Sequence, residues 1–253
     1  MNSIKFVLCI SRITYIPDNG LAFLDRLIEL RGKSLIGVLI LENRRAPILF
    51  RALVASCCGA LHTAGALLRH ACHADRRQSL LQAASIPILH ASSANGLAAI
   101  QWMADRARAG ASVGVNARTR CVFQAAALSA MPHGWYNIHH GVLPRWRGTS
   151  CDLRALVAGE NPGLSLHRMT DAIDQGSIAR TFSVAVEDRQ DYAGYLQRVQ
   201  MAEAELLDAW LSEWEKRGRC PTERPNWHDA PIWCRTPGAL ELLQMRWAKG
   251  IRL

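Results

Sequence analysis

The sequence lacks a G-x-G-x-x-G motif after its first predicted strand, and it lacks a long uninterrupted hydrophobic run. Residues 4–10 are almost entirely apolar, as buried parallel strands are, and Ser11-Arg12-Ile13-Thr14-Tyr15 follows them. The missing glycines weaken a dinucleotide-binding interpretation. Arg51 and His62 interrupt the most apolar stretch, residues 48–68, and polar groups at mid-bilayer are costly. We therefore expect no membrane partner.

The chain also lacks the paired cysteine spacing of zinc and disulfide proteins. It has eight cysteines, none of them in a C-x-x-C pattern, and the stretch from Cys57 to His73 mixes cysteine and histidine inside one apolar helical pattern. We expect reduced thiols that pack in the core, and no metal ion. Residues 1–5 lead directly into the first predicted strand, so we expect no secretory signal and a cytoplasmic protein.

Lysine is scarce in an otherwise basic chain. Only four of the 30 basic residues are lysine, and 21 residues are acidic, which gives a formal net charge of +9. A basic surface would suit a phosphorylated or nucleotide-linked ligand, but it does not by itself indicate a nucleic-acid partner. The 253 residues are enough for one large domain, or for one domain with an appendage. A homodimer stays open.

Predicted strands and helices alternate along the first part of the chain. This alternation predicts an α/β fold with a doubly wound, Rossmann-like and mostly parallel sheet. The predicted strands are residues 4–10, 35–41, 86–89 and 112–115 and the run that begins at Tyr136. The predicted helices are a stripe at residues 21–28, a buried helix pair within residues 47–71, residues 75–84, a helix capped by Ser92 or Ser93, and residues 120–130.

Beyond this sheet, the pattern predicts a β extension and a C-terminal appendage. The loop that carries Asp174 joins two predicted strands, and an apolar stripe over residues 192–214 predicts a long helix. The tail from Arg219 is rich in proline and tryptophan and predicts irregular structure. We expect one domain over residues 1–186 and an appendage over residues 187–253. The two strands are predicted at residues 164–169 and 178–186, after a helix at residues 152–158.

One stretch places polar, titratable groups at the end of a predicted strand. Tyr136-Asn137-Ile138-His139-His140 is a β-prone run that ends in an amide and two imidazoles, and a loop with Arg145 and Arg147 follows it. Open α/β sheets bind ligands at the carboxyl ends of their strands. Residues 114–118 upstream and residues 172–176 downstream complete the set of candidate site segments.

These segments resemble the folate-dependent formyltransferase family. Asn137, His139 and Asp174 fall on the family's Asn, His and Asp. Residues 143–148 match its Leu-Pro-x-aromatic-Arg/Lys-Gly loop, and residues 169–176 match its Met-x-x-x-hydrophobic-Asp-x-Gly stretch. Several aligned motifs in the right order make the resemblance specific, whereas an isolated Asn-x-His would not be.

The resemblance, which covers residues 84–186, implies a catalytic domain that transfers a formyl group from formyltetrahydrofolate to the amine of a small molecule. It implies that Asn137 donates to the formyl oxygen and that His139 moves protons and supports that oxygen. Asp174 would orient His139 and raise its pKa. The implied folate-binding residues are Asn116, Ala117, Arg118, Cys121, Val122, Ile173 and Gly176.

The acceptor amine stays open at this point. An amino sugar on a nucleotide, a hydroxylated ornithine and glycinamide ribonucleotide all fit the resemblance. Arg145, Trp146 and Arg147 are candidate acceptor contacts, and the two arginines are equally good candidates for loop anchors. The Trp-rich tail is interpreted as core cover, with a role as a substrate lid left open.

Formyltetrahydrofolate hydrolysis is the main alternative, because the pair His139-His140 resembles the hydrolases of the same family. Alternation along a strand should point His140 away from His139, so we expect a structural role for it. The hydrolases carry a domain before the catalytic one, whereas this chain begins at its first strand. Methionyl-tRNA formyltransferases add a C-terminal β-barrel, whereas fewer than 70 residues follow Val186. A non-catalytic binding module is the remaining alternative.

Overall fold

Strands and helices alternate along the first half of the chain in the computed structural model, which describes residues 3–253 apart from the side chain of Arg45. Met1 and Asn2, which begin the segment examined for a secretory signal, lie outside the described residues. The strands are β1 (Phe6–Ser11), β2 (Leu35–Leu41), β3 (Ile88–Ala91), β4 (Val113–Ala117), β5 (Trp135–His139), β6 (Trp146–Gly148), β7 (Gly163–Arg168), β8 (Ile178–Ser183) and β9 (Ile232–Cys234).

Seven of these strands form one sheet in the order β3-β2-β1-β4-β5-β7-β8. The first five strands run parallel, and β7 and β8 continue the sheet in antiparallel pairing. This confirms the predicted Rossmann-like sheet and its β extension. The strand order reverses between β1 and β4, and open α/β sheets bind ligands beside such a reversal. The short strands β6 and β9 form a separate parallel pair.

Helices cover both faces of the sheet. The long helix near the C-terminus and the first helix pack on one face, and the fifth and sixth helices pack on the other. The helices are α1 (Leu21–Arg31), α2 (Arg45–Cys57), α3 (Leu61–Cys72), α4 (Arg76–Ala83), α5 (Leu97–Arg108), α6 (Ala125–Leu128), α7 (Cys151–Val157), α8 (Tyr192–Arg217) and α9 (Ala239–Lys249).

The side chains of β5 contribute to both faces of the sheet in turn. Tyr136 and Ile138 pack in the core that α1 and α8 cover, whereas Trp135 packs against Phe123 in the core on the α5 side. Successive strand residues point to opposite faces. The side chains at positions 137 and 139 therefore share the α5 side, and that of His140 lies on the α8 side.

The helix predicted from the apolar stripe is α8. The Asp191 side chain caps its first turn by accepting from the Gly194 amide at 3.0 Å, and Gly218 ends it with a φ of 66°. Its buried stripe packs against α1 and against β7 and β8. One carboxylate, Glu203, lies fully buried within this apolar face.

The prediction of irregular structure after Arg219 is wrong for two segments. Strand β9 pairs with β6, and helix α9 packs beside α2, where Met245 enters the main core. Arg224 forms a further antiparallel bridge with Ile178 at the edge of β8. These segments are ordered by partners more than 45 residues away in the sequence, and a local pattern cannot show such partners.

Two local predictions around β4 are also wrong. The helix predicted over residues 120–130 shrinks to the single turn α6, because the Asn95 side chain bonds Val122 O and the Gln124 amide at 2.9 and 2.8 Å and holds this segment extended. Neither Ser92 nor Ser93 caps α5, which begins after Gly96. The Ser93 hydroxyl instead accepts from the Asn95 amide within the preceding turn.

Candidate active site

Three polar side chains lie in one row across β4, β5 and β7, namely Asn116, Asn137 and His167. The Asn116 amide donates to Asn137 Oδ1 at 2.7 Å, and Asn137 Nδ2 donates to His167 Nε2 at 3.1 Å. His167 Nδ1 donates to the Arg168 carbonyl at 2.9 Å. Since a carbonyl only accepts, this chain of bonds fixes the orientation of the Asn137 amide. One N–H of Asn137 is left for a ligand.

His139 lies at the carboxyl end of β5 and is buried. Its Nε2 donates to the Trp146 carbonyl at 2.9 Å, and its Nδ1 lies 3.5 Å from Asp174 Oδ2. Because the carbonyl can only accept, the neutral ring carries its proton on Nε2 and has its basic nitrogen at Nδ1. A proton taken up by His139 would therefore sit beside the Asp174 carboxylate.

Asp174 lies between two imidazoles. Its Oδ2 accepts from the Gly148 amide at 2.8 Å, and its Oδ1 lies 3.3 Å from His167 Nε2. Burial raises the pKa of this carboxyl, but the neighbouring His167 and His139 rings and the bond from the Gly148 amide outweigh burial and leave the pKa below its ordinary value. Asp174 is therefore a carboxylate that faces His139 and His167 together.

The backbone around Asp174 is constrained. Asp174 itself has a φ of 51°, in the left-handed region that aspartate tolerates better than most residues. Gly148, whose amide binds the carboxylate, has a φ of 94°, and Gly176 packs so closely on the Arg168 carbonyl that a Cβ would not fit. The Asp-x-Gly pattern in the sequence thus reflects two tight backbone positions.

The pKa of His139 corrects one expectation. Burial lowers it most, Asp174 acts in the predicted upward direction, and His167 lowers it further. The net pKa lies below the ordinary histidine value, whereas the sequence led us to expect it above. The physical reason is that His139 is almost completely buried and meets its carboxylate only at 3.5 Å. Near neutral pH it is a neutral ring that can accept a proton.

Two residues of this site were not predicted. His167 lies on the alternating strand β7, and the register of that strand against β5 is the signal that could have identified it. Asn226 comes from the C-terminal tail, and its Nδ2 donates to the carbonyls of Asp174 and Gly176 at 2.9 and 2.8 Å. No local sequence pattern indicates that Asn226 belongs to the site, because its contacts depend on how the C-terminal tail folds back onto the Asp174 loop.

Two of the predicted folate-binding residues do not face this site. Ala117 is buried in the core on the α8 side. The Arg118 side chain turns to the same face and pairs with Glu203 of α8, Nε to Oε1, at 2.8 Å. The positive φ of Arg118, 60°, reverses the direction that simple strand alternation would give. The expectation that these two side chains bind the folate is therefore corrected.

The remaining candidates lie on the site side or at the loop surfaces. Asn116 lies in the row with Asn137 and His167, and Cys121 is half-buried beside Ser93. Val122 and Ile173 are apolar side chains that stay 52% and 53% exposed. Large exposed apolar side chains on loops near polar groups are suited to a flat aromatic ligand.

The three candidate acceptor contacts are anchors of the loop in this structure. Trp146 is buried, and its indole donates to Glu160 at 3.1 Å. Arg145 pairs with the same carboxylate at 2.7 Å, and buried Arg147 donates to the Pro144 and Asn226 carbonyls. The expectation of direct substrate contacts is corrected for Trp146 and Arg147, because both side chains are buried and already donate hydrogen bonds within the protein.

Among residues 3–253, no group of three or more His, Cys, Asp or Glu side chains is arranged to hold a metal ion. Within the same range, no helix is both long enough and apolar enough to cross a bilayer.

A family model described as formyl transferase matches residues 74–211, which is more than half of the chain. The chain belongs to this family. The match includes β4, β5, β7, β8 and the loop of Asp174, and it ends within α8, before the tail that supplies Asn226.

Curated relatives include methionyl-tRNA formyltransferases. That of Methylobacterium sp. (strain 4-46) is 31% identical over 149 residues, which are 58% of this chain and 47% of the relative. That of Bifidobacterium animalis subsp. lactis is 34% identical over 91 residues, or 36% and 28% of the two chains. The chain thus matches about half the length, or less, of these relatives.

Solved structures of low sequence identity share the fold. A Shewanella sugar N-formyltransferase superposes with a TM-score of 0.56 at 14% identity, over 91% of this chain and 76% of its own. A phosphoribosylglycinamide formyltransferase of Anaplasma phagocytophilum gives 0.57 at 15% identity, over 92% and 100%. These likenesses confirm the fold class.

Proposed function

We propose that the protein transfers a formyl group from formyltetrahydrofolate to the amine of a small molecule. The observation that carries the proposal is the pairing of a free Asn137 N–H with the basic Nδ1 edge of His139, beside the Asp174 carboxylate. A hydrogen-bond donor and a proton acceptor at one strand end meet the two needs of acyl transfer. Family membership supports the same reaction class.

Each polar group has a distinct task in this proposal. Asn137 donates its free N–H to the formyl oxygen as negative charge develops there, and its amide cannot rotate away because Asn116 and His167 hold it. His139 accepts the proton of the attacking amine at Nδ1. Asp174 stabilises the imidazolium that results, and this proton can then pass to the departing folate nitrogen.

The folate donor would lie against the loops that follow β4 and β7. Val122 and Ile173 offer exposed apolar surface, and Asn116 and Asn137 offer amide groups beside it. The charged side chain of Arg118 takes no part, since it is paired on the opposite face. The donor when bound supplies the activated formyl group. No metal ion is required by this chemistry.

The surroundings favour a small acceptor. The tail segment around Asn226 and β9 packs against the loop of residues 143–148 and narrows the site on that side. The N-terminus of α1, a position that often binds phosphate, is already occupied by the Asp18 carboxylate, which accepts from the Gly20 and Ala22 amides at 3.0 Å. This weighs against an acceptor whose phosphate binds there, as glycinamide ribonucleotide could, and leaves amino sugars and hydroxylated ornithines.

A panel of acceptors tests the proposal through the absorbance of the tetrahydrofolate product. The panel comprises nucleotide-linked amino sugars, hydroxylated ornithine, glycinamide ribonucleotide and methionyl-tRNA, with a reaction that lacks any amine as the baseline. We expect one small amine to raise donor turnover by about a hundredfold, because the site must keep water from the formyl carbon until the amine binds. Acceleration by methionyl-tRNA alone would contradict the small-molecule acceptor.

Formyltetrahydrofolate hydrolysis is the second candidate, favoured by the adjacent histidines in the sequence. The structure separates them, since His140 Nε2 lies 2.5 Å from Glu203 on the α8 side, away from His139 and Asp174. His140 is therefore not placed to activate a water at the formyl carbon. Fast formate release that no amine accelerates would nevertheless establish hydrolysis as the activity.

A further inference from the structure

His140 belongs to a buried group of charges that the proposed chemistry does not use. Its Nε2 lies 2.5 Å from Glu203 Oε1, and its Nδ1 lies 3.6 Å from Asp152 Oδ2. The same Glu203 oxygen accepts from Arg118 Nε at 2.8 Å. The side chains of Asp152 and Glu203 are completely buried, and those of Arg118 and His140 are only 10% and 12% exposed.

With both carboxylates ionised, the charges of this group balance only when His140 is protonated. Arg118 is always a cation, and Asp152 and Glu203 each have a pKa below the ordinary value despite burial, because the neighbouring His140 and Arg118 favour their ionised forms. If His140 is protonated, two cations face two anions. If His140 is neutral, a net negative charge stays buried without compensation, which is strongly unfavourable.

We propose that His140 is held as an imidazolium and serves as a positioning residue: it fixes the end of β5 through Glu203 and Asp152, and its charge adds to the burial that keeps the neighbouring His139 neutral. The inference rests on the proposed function for its catalytic meaning, although the charge of His140 itself does not. It extends the role of this position beyond packing.

All the groups that face the two rings act on this balance. Around His140 these are Arg118 after β4, Asp152 of α7 and Glu203 of α8. The partly buried Tyr15 and the buried Tyr192 and Tyr195 lie beyond them. Around His139 they are Asp174, His167 and His140 itself. His140 contributes a positive charge immediately after β5, one residue away from the proton acceptor.

A charge-balanced pair of substitutions separates the two roles. His140→Asn alone leaves Arg118 against two carboxylates and should lower the urea midpoint of unfolding. Adding Asp152→Asn removes one anion, keeps the Arg118–Glu203 pair and should restore much of that midpoint. An asparagine can still accept from the Leu153 amide and the Tyr192 hydroxyl, as Asp152 does. His90→Asn, which removes an exposed imidazole paired with Glu42, is the matched control.

Nuclear magnetic resonance of ring-labelled histidine tests the charge directly. We expect one ring, absent from His140→Asn, to stay protonated well above about pH 6.5, where an unperturbed histidine loses its proton. In folded His140→Asn protein, the titration of the His139 ring, assigned through His139→Ala, should move to higher pH because a neighbouring positive charge is lost. A His140 ring that titrates at or below about pH 6.5 overturns the proposal, as does an unchanged His139 titration.

The activity readout uses the same variants. In folded His140→Asn protein, a positive charge beside the proton acceptor is lost, so the acidic limb of kcat/KM should move to higher pH. The rate below this limb should fall by about threefold or more, the effect of one elementary charge under strong screening. An unmoved limb would mean that His140 only packs. If no acceptor gives turnover, the proposed reaction fails, while the resonance measurement still decides whether His140 is charged.

Discussion

His139 and His140 are neighbours in sequence, and both are buried, yet their pKa values shift in opposite directions. Burial lowers the pKa of both rings. For His139 the single carboxylate at 3.5 Å does not compensate, and the pKa stays low. For His140 burial and Arg118 act downward, but Glu203 at 2.5 Å and Asp152 at 3.6 Å outweigh them and raise the pKa.

The difference shows that the face of the strand decides the chemistry. On the α5 side, a neutral imidazole shares its carboxylate with His167 and with a backbone amide, so the site can gain a proton. On the α8 side, an imidazolium is locked by two carboxylates from α7 and α8. In the reaction we propose, the same residue type thus serves as a proton acceptor at one position and as a fixed charge at the next.

The largest expected effect on stability comes from removing a carboxylate of the buried charge group around His140. Glu203→Gln leaves Arg118 and His140 facing only Asp152 and should lower the free energy of unfolding by about 3–5 kcal/mol, because an uncompensated buried charge results. Urea unfolding measures the loss. Glu213→Gln, on the same helix but in a partly exposed pair with Arg180, should cost less than about 1 kcal/mol. Equal losses at both positions would remove the distinction.

Substitutions of the proposed catalytic residues should lower activity and leave stability largely unchanged. His139→Ala, Asn137→Ala and Asp174→Ala should each lower kcat by about two orders of magnitude or more, because each removes a preorganised donor or proton acceptor. The double variant of His139 and Asp174 should lose little beyond the His139 single variant, since the pair acts as a unit. Full turnover by a folded His139→Ala protein would reject the assignment.

A smaller effect should follow from loosening the Asp174 loop through the tail. Asn226→Ala removes two donors to the Asp174 and Gly176 carbonyls and one partner of Arg147, so Asp174 should shift slightly and kcat should fall by about tenfold. Steady-state kinetics measures the loss. Asn161→Ala, a surface contact of Arg189, is the matched control and should leave kcat unchanged. A comparable loss in the control would exclude a specific role for Asn226.

The smallest effect concerns the pH dependence of stability. The raised pKa of His140 contributes stability that is complete below its unfolded pKa of about 6.5 and is lost as pH rises through the folded value. The lowered pKa values of Asp152, Glu203 and Asp174 contribute stability that is lost on acidification. The alkaline loss should disappear in His140→Asn, as denaturant midpoints across pH can check. Its persistence would place its origin elsewhere.

Much of the sheet could be predicted because its signals are local. Apolar runs at β1 and β2 and the stripe of α8 each lie within one segment. The grouping of Asn137, His139 and Asp174 was predicted from the family resemblance, and the structure places Asp174 3.5 Å from His139. The side-chain period of a strand also predicted that His140 points away from His139. A buried partner for Glu203 could also have been predicted, because this carboxylate interrupts the apolar stripe of α8.

The rest depends on distant contacts or on special backbone positions. The positive φ of Arg118 turns its side chain to the other face, and no alternation rule anticipates that. β9 and Asn226 acquire their roles only by pairing with β6 and the Asp174 loop. The pKa of His139 was mispredicted because a pattern of residues gives neither the depth of burial nor the distance to Asp174.

The fate of an isotope-labelled formyl group tests the central claim most directly. The protein is incubated with formyltetrahydrofolate labelled with carbon-13 in the formyl group, with and without the acceptor found in the panel, and carbon resonances are followed over time. The account predicts that the label appears as a formamide on the acceptor, that little formate forms without acceptor, and that His139→Ala abolishes both. Label that appears in formate at the same rate with and without acceptor would contradict it.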